Sequence, residues 1–101
     1  MRTRQKGYAR DYRLSKEDVE TAKEFCRNAC TEQELLCIQW AAEESNQPLS
    51  SSLILSVQER MSYEQLGGDY SMHCTKQDFY GYRRKFISNL HSIGRLLGYI
   101  K

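Results

Sequence analysis

The chain has 101 residues and a mass of 11.9 kDa, which is enough for one domain. Hydrophobic residues make up 40% of it and charged residues 28%, a balance that favours a folded core over disorder. One proline and six glycines leave few tight turns for a small β-barrel, so an all-α bundle of about five helices is predicted.

The two ends of the chain are basic and its middle is acidic. Residues 1–14 have a net charge of +4, residues 15–74 of −7 and residues 75–101 of +5, which together give the net charge of +2. The first segment is predicted to be a flexible basic arm on a single helical domain that spans residues 15–101. Such an asymmetry predicts an anionic partner for the basic ends.

Membrane insertion and secretion are not expected. No apolar run approaches the about 20 residues that a bilayer span needs. The polar, basic N-terminus lacks the apolar segment of a secretory signal. These features predict a cytoplasmic protein whose four cysteines are free thiols.

Serine and threonine N-caps predict the first two helices. Ser15 is followed by acidic residues that suit the positive end of a helix dipole, so a first helix is predicted over residues 16–29. Thr31 with Glu34 three residues later is a capping box, and it predicts a second helix that ends at about Glu44.

The second helix is followed by a proline-containing loop and a third helix. Trp40, in the most apolar stretch of the second helix, is predicted to anchor the core. The third helix is capped by Ser50 or Ser51 and is predicted to end at about Met61.

Two more helices are predicted before the C-terminus. Ser62 caps a short fourth helix over residues 62–66, and two glycines end it. Thr75, with Asp78 three residues later, predicts the start of the last and longest helix, residues 76–97.

The last helix is amphipathic. Its apolar side chains recur at helical spacing and predict one buried stripe: Phe79, Phe86, Leu90, Ile93 and Leu97. The opposite face is polar and includes Gln77, Tyr80, Gly81, Arg84, Ser88, His91 and Arg95. Because Asp78 is the one acid in this helix, its exposed face indicates a docking surface for an anion rather than an ordinary solvated face.

Two segments of the sequence resemble known DNA-binding proteins. Ser62-Tyr63-Glu64-Gln65-Leu66 resembles the start of the helix-turn-helix in the promoter-reading domains of sigma factors. Residues 75–90, TKQDFYGYRRKFISNL, resemble the recognition helix of small phage transcription regulators of the RinA and ArpU kind. The connection between the two segments departs from the sigma-factor pattern, because it is longer and contains Gly67-Gly68.

A second resemblance is to uncharacterised short proteins of phages and mobile elements of Gram-positive bacteria. They share the strings Arg4-Gln5-Lys6-Gly7-Tyr8 and Asp78 to Lys85. This second resemblance implies no activity, whereas the first implies a helix-turn-helix regulator of transcription that binds double-stranded DNA.

The resemblance implies a role for eight residues. Gln77, Tyr80 and Arg84 are expected to reach base edges. Lys76, Arg83 and Lys85 are expected to neutralise phosphates, and Ser62 and Tyr63 to touch the DNA backbone. The acidic middle would face away from DNA and offer a surface to RNA polymerase or another basic protein.

Two other functions remain open. A protein-interaction module, such as a phage adaptor or inhibitor, would use the same basic helix against an acidic protein. A packaging protein similar to terminase small subunits would assemble into a ring, which its mass in solution would reveal. Absence of a DNA mobility shift at low salt would favour the first of these.

No enzyme, metal site or cofactor is predicted. Cys26, Cys30, Cys37 and Cys74 include no C-x-x-C pair, and free cysteines are usually buried in the core. Neither Cys74 nor Ser71 is placed beside a candidate general base. Gly67-Gly68 lacks the following lysine of a phosphate-binding loop.

Overall fold

The computed structural model describes residues 14–101, and in that range the secondary structure is entirely helical. The helices are α1 (Lys16–Asn28), α2 (Glu32–Asn46), α3 (Ser50–Gln58), α4 (Asp69–Met72) and α5 (Lys76–Leu97), with a 3₁₀ turn at Gln47–Leu49. The all-α prediction is confirmed. The predicted arm lies outside the described residues except for Leu14, which packs against the core.

The caps predicted from the sequence start three of the helices. The Ser15 hydroxyl accepts a hydrogen bond from the Asp18 amide at 3.0 Å, and the Asp18 carboxylate accepts one from the Ser15 amide at 3.2 Å. Thr31 and Glu34 form the same reciprocal pair at the start of α2. The Thr75 hydroxyl accepts a hydrogen bond from the Asp78 amide at the start of α5. These local bonds explain why the starts of α1, α2 and α5 were predictable.

The two capping boxes make the fold sensitive to acid. Backbone amides that donate to Asp18 and Glu34 lower the pKa of both carboxyl groups. A lowered pKa in the folded state means that the stabilisation is present above the unfolded pKa values of 3.8 and 4.5 and is lost as the pH falls below them. We therefore expect the urea midpoint to fall between pH 5 and pH 3. The Glu34→Gln variant, which can still donate and accept in a capping box, should show a smaller fall.

Helix α5 lies along α2 at the centre of the molecule. The Asn89 side chain donates to the carbonyl of Ala41 at 3.1 Å, and the Ser45 hydroxyl donates to the carbonyl of Tyr82 at 2.6 Å. Because the residue numbers rise in one helix as they fall in the other, the two helices are antiparallel. Ala41 and Ala42 are fully buried, and their small side chains allow the helices to approach closely.

The core is formed by one face of each long helix. Its largest fully buried side chains are Phe79, Phe86, Leu90, Ile38, Leu53 and Val57. The predicted apolar stripe of α5 is therefore buried at Phe79, Phe86 and Leu90, whereas Leu97 is exposed beside the end of the helix. After α5 the chain reverses at Gly98, and Ile100 packs against Gly94, where a Cβ atom would lie 2.7 Å from the Ile100 Cδ1 atom.

Several local predictions were wrong, and one of them is the serine cap of the third helix, because α3 begins after Leu49 without a side-chain cap. Trp40 is half-exposed rather than a core anchor, because α2 buries Cys37, Ile38, Ala41 and Ala42 instead. His91 is buried rather than outward, and its Nε2 atom lies 3.5 Å from the Asp18 carboxylate of α1. No helix forms at residues 62–66, which are turns, and the helical turn α4 follows the two glycines instead of preceding them.

The turn at residues 62–68 has a clear local cause. Ser62 and Gln65 exchange two hydrogen bonds, at 2.8 and 3.1 Å, which resemble a helix cap. Gly67 and Gly68 then take positive φ angles of 110° and 55°, which reverse the chain before a helix can extend. The Gly68 amide donates back to the Tyr63 carbonyl at 2.9 Å and closes the turn.

Candidate nucleic-acid interface

The first turns of α5 carry four of the predicted contact residues at or near the surface. Lys76, Gln77 and Lys85 are exposed, and Arg84 is half-buried. Gln77, Gly81 and Arg84 follow one another at spacings of four and three residues, so they lie on one face of the helix. A Cβ atom at Gly81 would lie 3.7 Å from an Arg84 Nη atom, which shows that the guanidinium folds back over the glycine.

Lys76 already has an acidic neighbour. Its Nζ atom lies 2.7 Å from the Glu64 carboxylate, and both side chains are more than half exposed. The hydrogen bond with Glu64 raises the pKa of Lys76, and the same contact lowers the pKa of Glu64. Because an exposed ion pair of this kind is weak, a phosphate group can compete with Glu64 for the lysine.

Tyr63 and Tyr80 use their polar atoms inside the protein. The Tyr80 hydroxyl accepts a hydrogen bond from the Tyr63 amide at 3.1 Å. Tyr63 is 3% exposed, and its hydroxyl lies 2.7 Å from the Asp69 carboxylate and close to the Cys74 carbonyl. Burial and the hydrogen bond with Asp69 raise the pKa of Tyr63 to about 12. Both tyrosines pack their rings against Phe79, so they hold the 62–74 connection against α5.

Arg83 points towards α3 rather than outward. Its Nε atom donates to the Ser56 hydroxyl at 2.9 Å, and that hydroxyl donates to the Met61 carbonyl at 2.9 Å. Burial is the main cause that lowers the pKa of Arg83, and the nearby charge of Arg27 lowers it further. The predicted contact residues are therefore not all on one surface: Arg83 is turned to the side of α5 that packs on α1 and α3.

Sequence reasoning missed Arg27, which lies beside Arg83. Its Nε atom donates to the Val57 carbonyl at 3.1 Å, and the Gln58 side chain donates to the Cys26 carbonyl at 3.1 Å. Arg27 directly follows Cys26, which is fully buried. An arginine next to a cysteine, a residue type that is often buried, is the one feature of the sequence that indicates the edge of the core. That α1 meets α3 at this edge depends on tertiary packing, so the contact could not be predicted from the sequence.

The outward face of α2 is apolar at its centre and acidic around it. Leu36 and Trp40 are four residues apart and are 62% and 49% exposed. The exposed side chains on the same side of the helix are Glu32, Gln33, Glu43 and Glu44. An exposed leucine–tryptophan pair with an acidic rim is typical of a protein-binding surface rather than of a DNA-binding one.

The cysteines differ in their environment and should differ in reactivity. Burial raises the pKa of Cys26 to about 12, whereas Cys30 is exposed. At pH 8 a thiol with that pKa is a thiolate in roughly one molecule in 10⁴, and only the thiolate is nucleophilic. We expect iodoacetamide to alkylate Cys30 first and Cys26 only when the protein unfolds, as measured by peptide mass spectrometry. Equal rates at the two residues would contradict the buried position of Cys26.

The described part of the chain contains no cluster of three or more histidine, cysteine or carboxylate side chains that could hold a metal ion. None of the helices in residues 14–101 is long and apolar enough to cross a membrane.

In comparisons with known proteins, no family matches the chain, and neither a curated protein nor a solved structure shows significant similarity to it.

Proposed function

We propose that the protein binds double-stranded DNA through the exposed face of the first three turns of α5, as a transcription regulator of a phage or mobile element. The observation that carries the proposal is the strip formed by Gln77, Gly81, Arg84 and Lys85 at the protein surface. Its side chains are polar or basic, and the Arg84 guanidinium lies over Gly81 at the surface of the helix. The connection and α4 then serve as the first part of a helix-turn-helix-like unit.

The roles of the side chains follow from their chemistry. Gln77 has the amide donor and acceptor that read adenine in the major groove, and Arg84 has the paired donors that read guanine. Lys85, and Lys76 after release from Glu64, neutralise backbone phosphates. Tyr63 and Tyr80 support the helix from inside, and Ser62 is half-buried at the start of the connection.

The proposal is tested by fluorescence anisotropy. The protein is titrated into a labelled random-sequence duplex of about 20 base pairs at a series of salt concentrations. We expect binding at low salt and a linear fall of log K against log salt, since each neutralised phosphate contributes a slope of about −0.9. Phosphate contacts are strong at about 50 mM salt. Absence of duplex binding at that concentration would contradict DNA binding.

A second function, recognition of another protein, is favoured by the outward face of α2. The occupant that fits this face is a basic amphipathic helix, because Leu36 and Trp40 would bury its apolar stripe and the surrounding glutamates would pair with its cations. Such a contact is compatible with the proposed regulator, since α2 and the first turns of α5 offer surfaces of opposite charge.

Trp40 reports on this second function because it is the only tryptophan in the chain. A synthetic amphipathic helix of leucine and lysine should shift its fluorescence to shorter wavelength, and the same peptide with glutamate in place of lysine should not. Leu36→Ser should weaken the binding, while Leu55→Ser, at an exposed leucine on α3, serves as the matched control. No difference between the two peptides would exclude recognition by charge.

A further inference from the structure

Two arginine side chains from different helices meet at the C-terminal end of α3. Arg27 of α1 donates to the Val57 carbonyl, and Arg83 of α5 donates to the hydroxyl of the preceding residue, Ser56. Their acceptors belong to consecutive residues, so both guanidinium groups reach the same end of α3. Both side chains are half-buried, and the charge of Arg27 affects the ionisation of Arg83.

No carboxylate balances this pair of charges in the described residues. The ion pairs there join Lys23 to Glu20, Lys76 to Glu64 and His91 to Asp18, and none includes either arginine. Each guanidinium uses its Nε atom in a hydrogen bond to α3, which leaves its Nη donors without a described protein partner. Two like charges held close together and partly shielded from water are unfavourable unless an anion joins them.

The carbonyl end of α3 offsets part of this repulsion. The negative end of the helix dipole stabilises cations placed near it, and the Val57 and Met61 carbonyls lie at this end. The Val57 carbonyl accepts from Arg27 and the Ser56 hydroxyl accepts from Arg83, so each guanidinium is held at its Nε atom. Each guanidinium thus keeps its Nη donors for another acceptor, and guanidinium groups can bind an oxyanion through paired hydrogen bonds.

We propose that Arg27 and Arg83 form a binding site for a phosphate group, held between α1, α3 and α5. Two cations match the charge of a phosphate better than that of a single carboxylate, and guanidinium groups bind phosphate oxygens in pairs. The site is separate from the strip of Gln77, Gly81, Arg84 and Lys85, since Arg83 faces the other side of α5. It stands whether or not the strip binds DNA.

Titration with inorganic phosphate tests the site without DNA. The Arg27 and Arg83 Nε–H signals would be followed by NMR as sodium phosphate replaces sodium chloride at constant ionic strength and pH. We expect saturable shifts at both arginines. Arg27→Gln should weaken phosphate binding by about tenfold or more, since each lost charged hydrogen bond has an effect of that order.

Arg95→Gln is the matched control. Arg95 is an exposed arginine of the same helix, and it lies twelve residues, or about 18 Å, from Arg83. We expect this variant to bind phosphate as the native protein does. Arg83→Gln should weaken phosphate binding in the same way as Arg27→Gln. If the Arg83→Gln variant unfolds, the test depends on Arg27→Gln, whose fold is checked by its melting temperature. Equal shifts with chloride and phosphate, or native affinity in Arg27→Gln, would overturn the site.

The source of the phosphate is distinguished by adding a random-sequence duplex to the same variants. Loss of both phosphate and duplex binding in Arg27→Gln assigns the site to the nucleic-acid backbone. Loss of phosphate binding with native duplex binding assigns it to a free phosphate or a small phosphate ester. If the native protein binds phosphate but no duplex, the proposed DNA-binding function fails and the arginine site stands.

Discussion

Replacing Phe86 by alanine is expected to lower the free energy of unfolding by about 3–5 kcal/mol, the usual cost of removing a buried aromatic side chain. Phe86 is fully buried and lies two turns after Phe79 on the stripe that attaches α5 to α2. A domain of this size has a total stability of about 5–15 kcal/mol. The variant should therefore be marginally folded at 25 °C, and urea unfolding followed by circular dichroism measures the loss.

Tyr70→Ala provides the control for this substitution. Tyr70 is also aromatic, but it is 95% exposed at the second residue of α4. Its replacement should change the free energy of unfolding by no more than about 0.5 kcal/mol. Similar losses in the two variants would mean that α5 is not the helix around which the core is built.

Removing the charge of Lys85 is expected to weaken DNA binding, and removing that of Glu64 to strengthen it. Lys85 is exposed on α5, so Lys85→Gln should reduce the slope of log K against log salt by about 1. Glu64→Gln removes the carboxylate that lies 2.7 Å from Lys76. Lys76 then contacts a phosphate without first leaving Glu64, so binding should be tighter at each salt concentration while the slope stays about the same. Anisotropy titrations at several salt concentrations measure both changes.

Lys16→Gln is the matched control for the charge variants. Lys16 is an exposed lysine at the start of α1, near the end of α5 where Asp18 meets His91. His91 is fifteen residues from Lys76, or about 22 Å along the helix. The control should therefore bind duplex as the native protein does. An equal loss in Lys16→Gln and Lys85→Gln would show that net charge, rather than the α5 surface, governs binding.

Much of the fold could be predicted because it depends on local sequence. The caps at Ser15, Thr31 and Thr75 set three helix starts, and each involves residues no more than three apart. The end of α3 was less predictable: the helix stops at Gln58 instead of Met61 because Arg60 takes a positive φ of 56°. Arginine rarely takes a positive φ angle, so an arginine at this position does not predict the end of a helix.

Two of the errors concern which side of a helix faces the core. The apolar residues of α2 surround the helix, so periodicity could not show that the alanine side packs on α5 and the Trp40 side faces outward. His91 lies on the polar face of α5 and was predicted to be exposed, but α1 covers it and supplies Asp18. Both outcomes depend on contacts between helices distant in the chain, which a single-helix pattern does not contain.

The candidate site was predictable in part for the same reason. The exposure of Lys76, Gln77 and Lys85 follows from the position of Phe79 and Phe86 on the buried face of α5. The inward turn of Arg83 does not, because it requires Ser56 of α3 at hydrogen-bond distance. The pairing of Arg83 with Arg27 likewise appears only when α1, α3 and α5 are assembled.

Amide chemical-shift mapping during titration with a random-sequence duplex most directly tests whether the first turns of α5 bind nucleic acid. We expect the largest shifts at low salt at residues 76–85, and the amides of Leu36 and Trp40 should hardly move. Shifts concentrated on the outer face of α2, or no shifts at residues 76–85 while the duplex binds, would contradict this expectation.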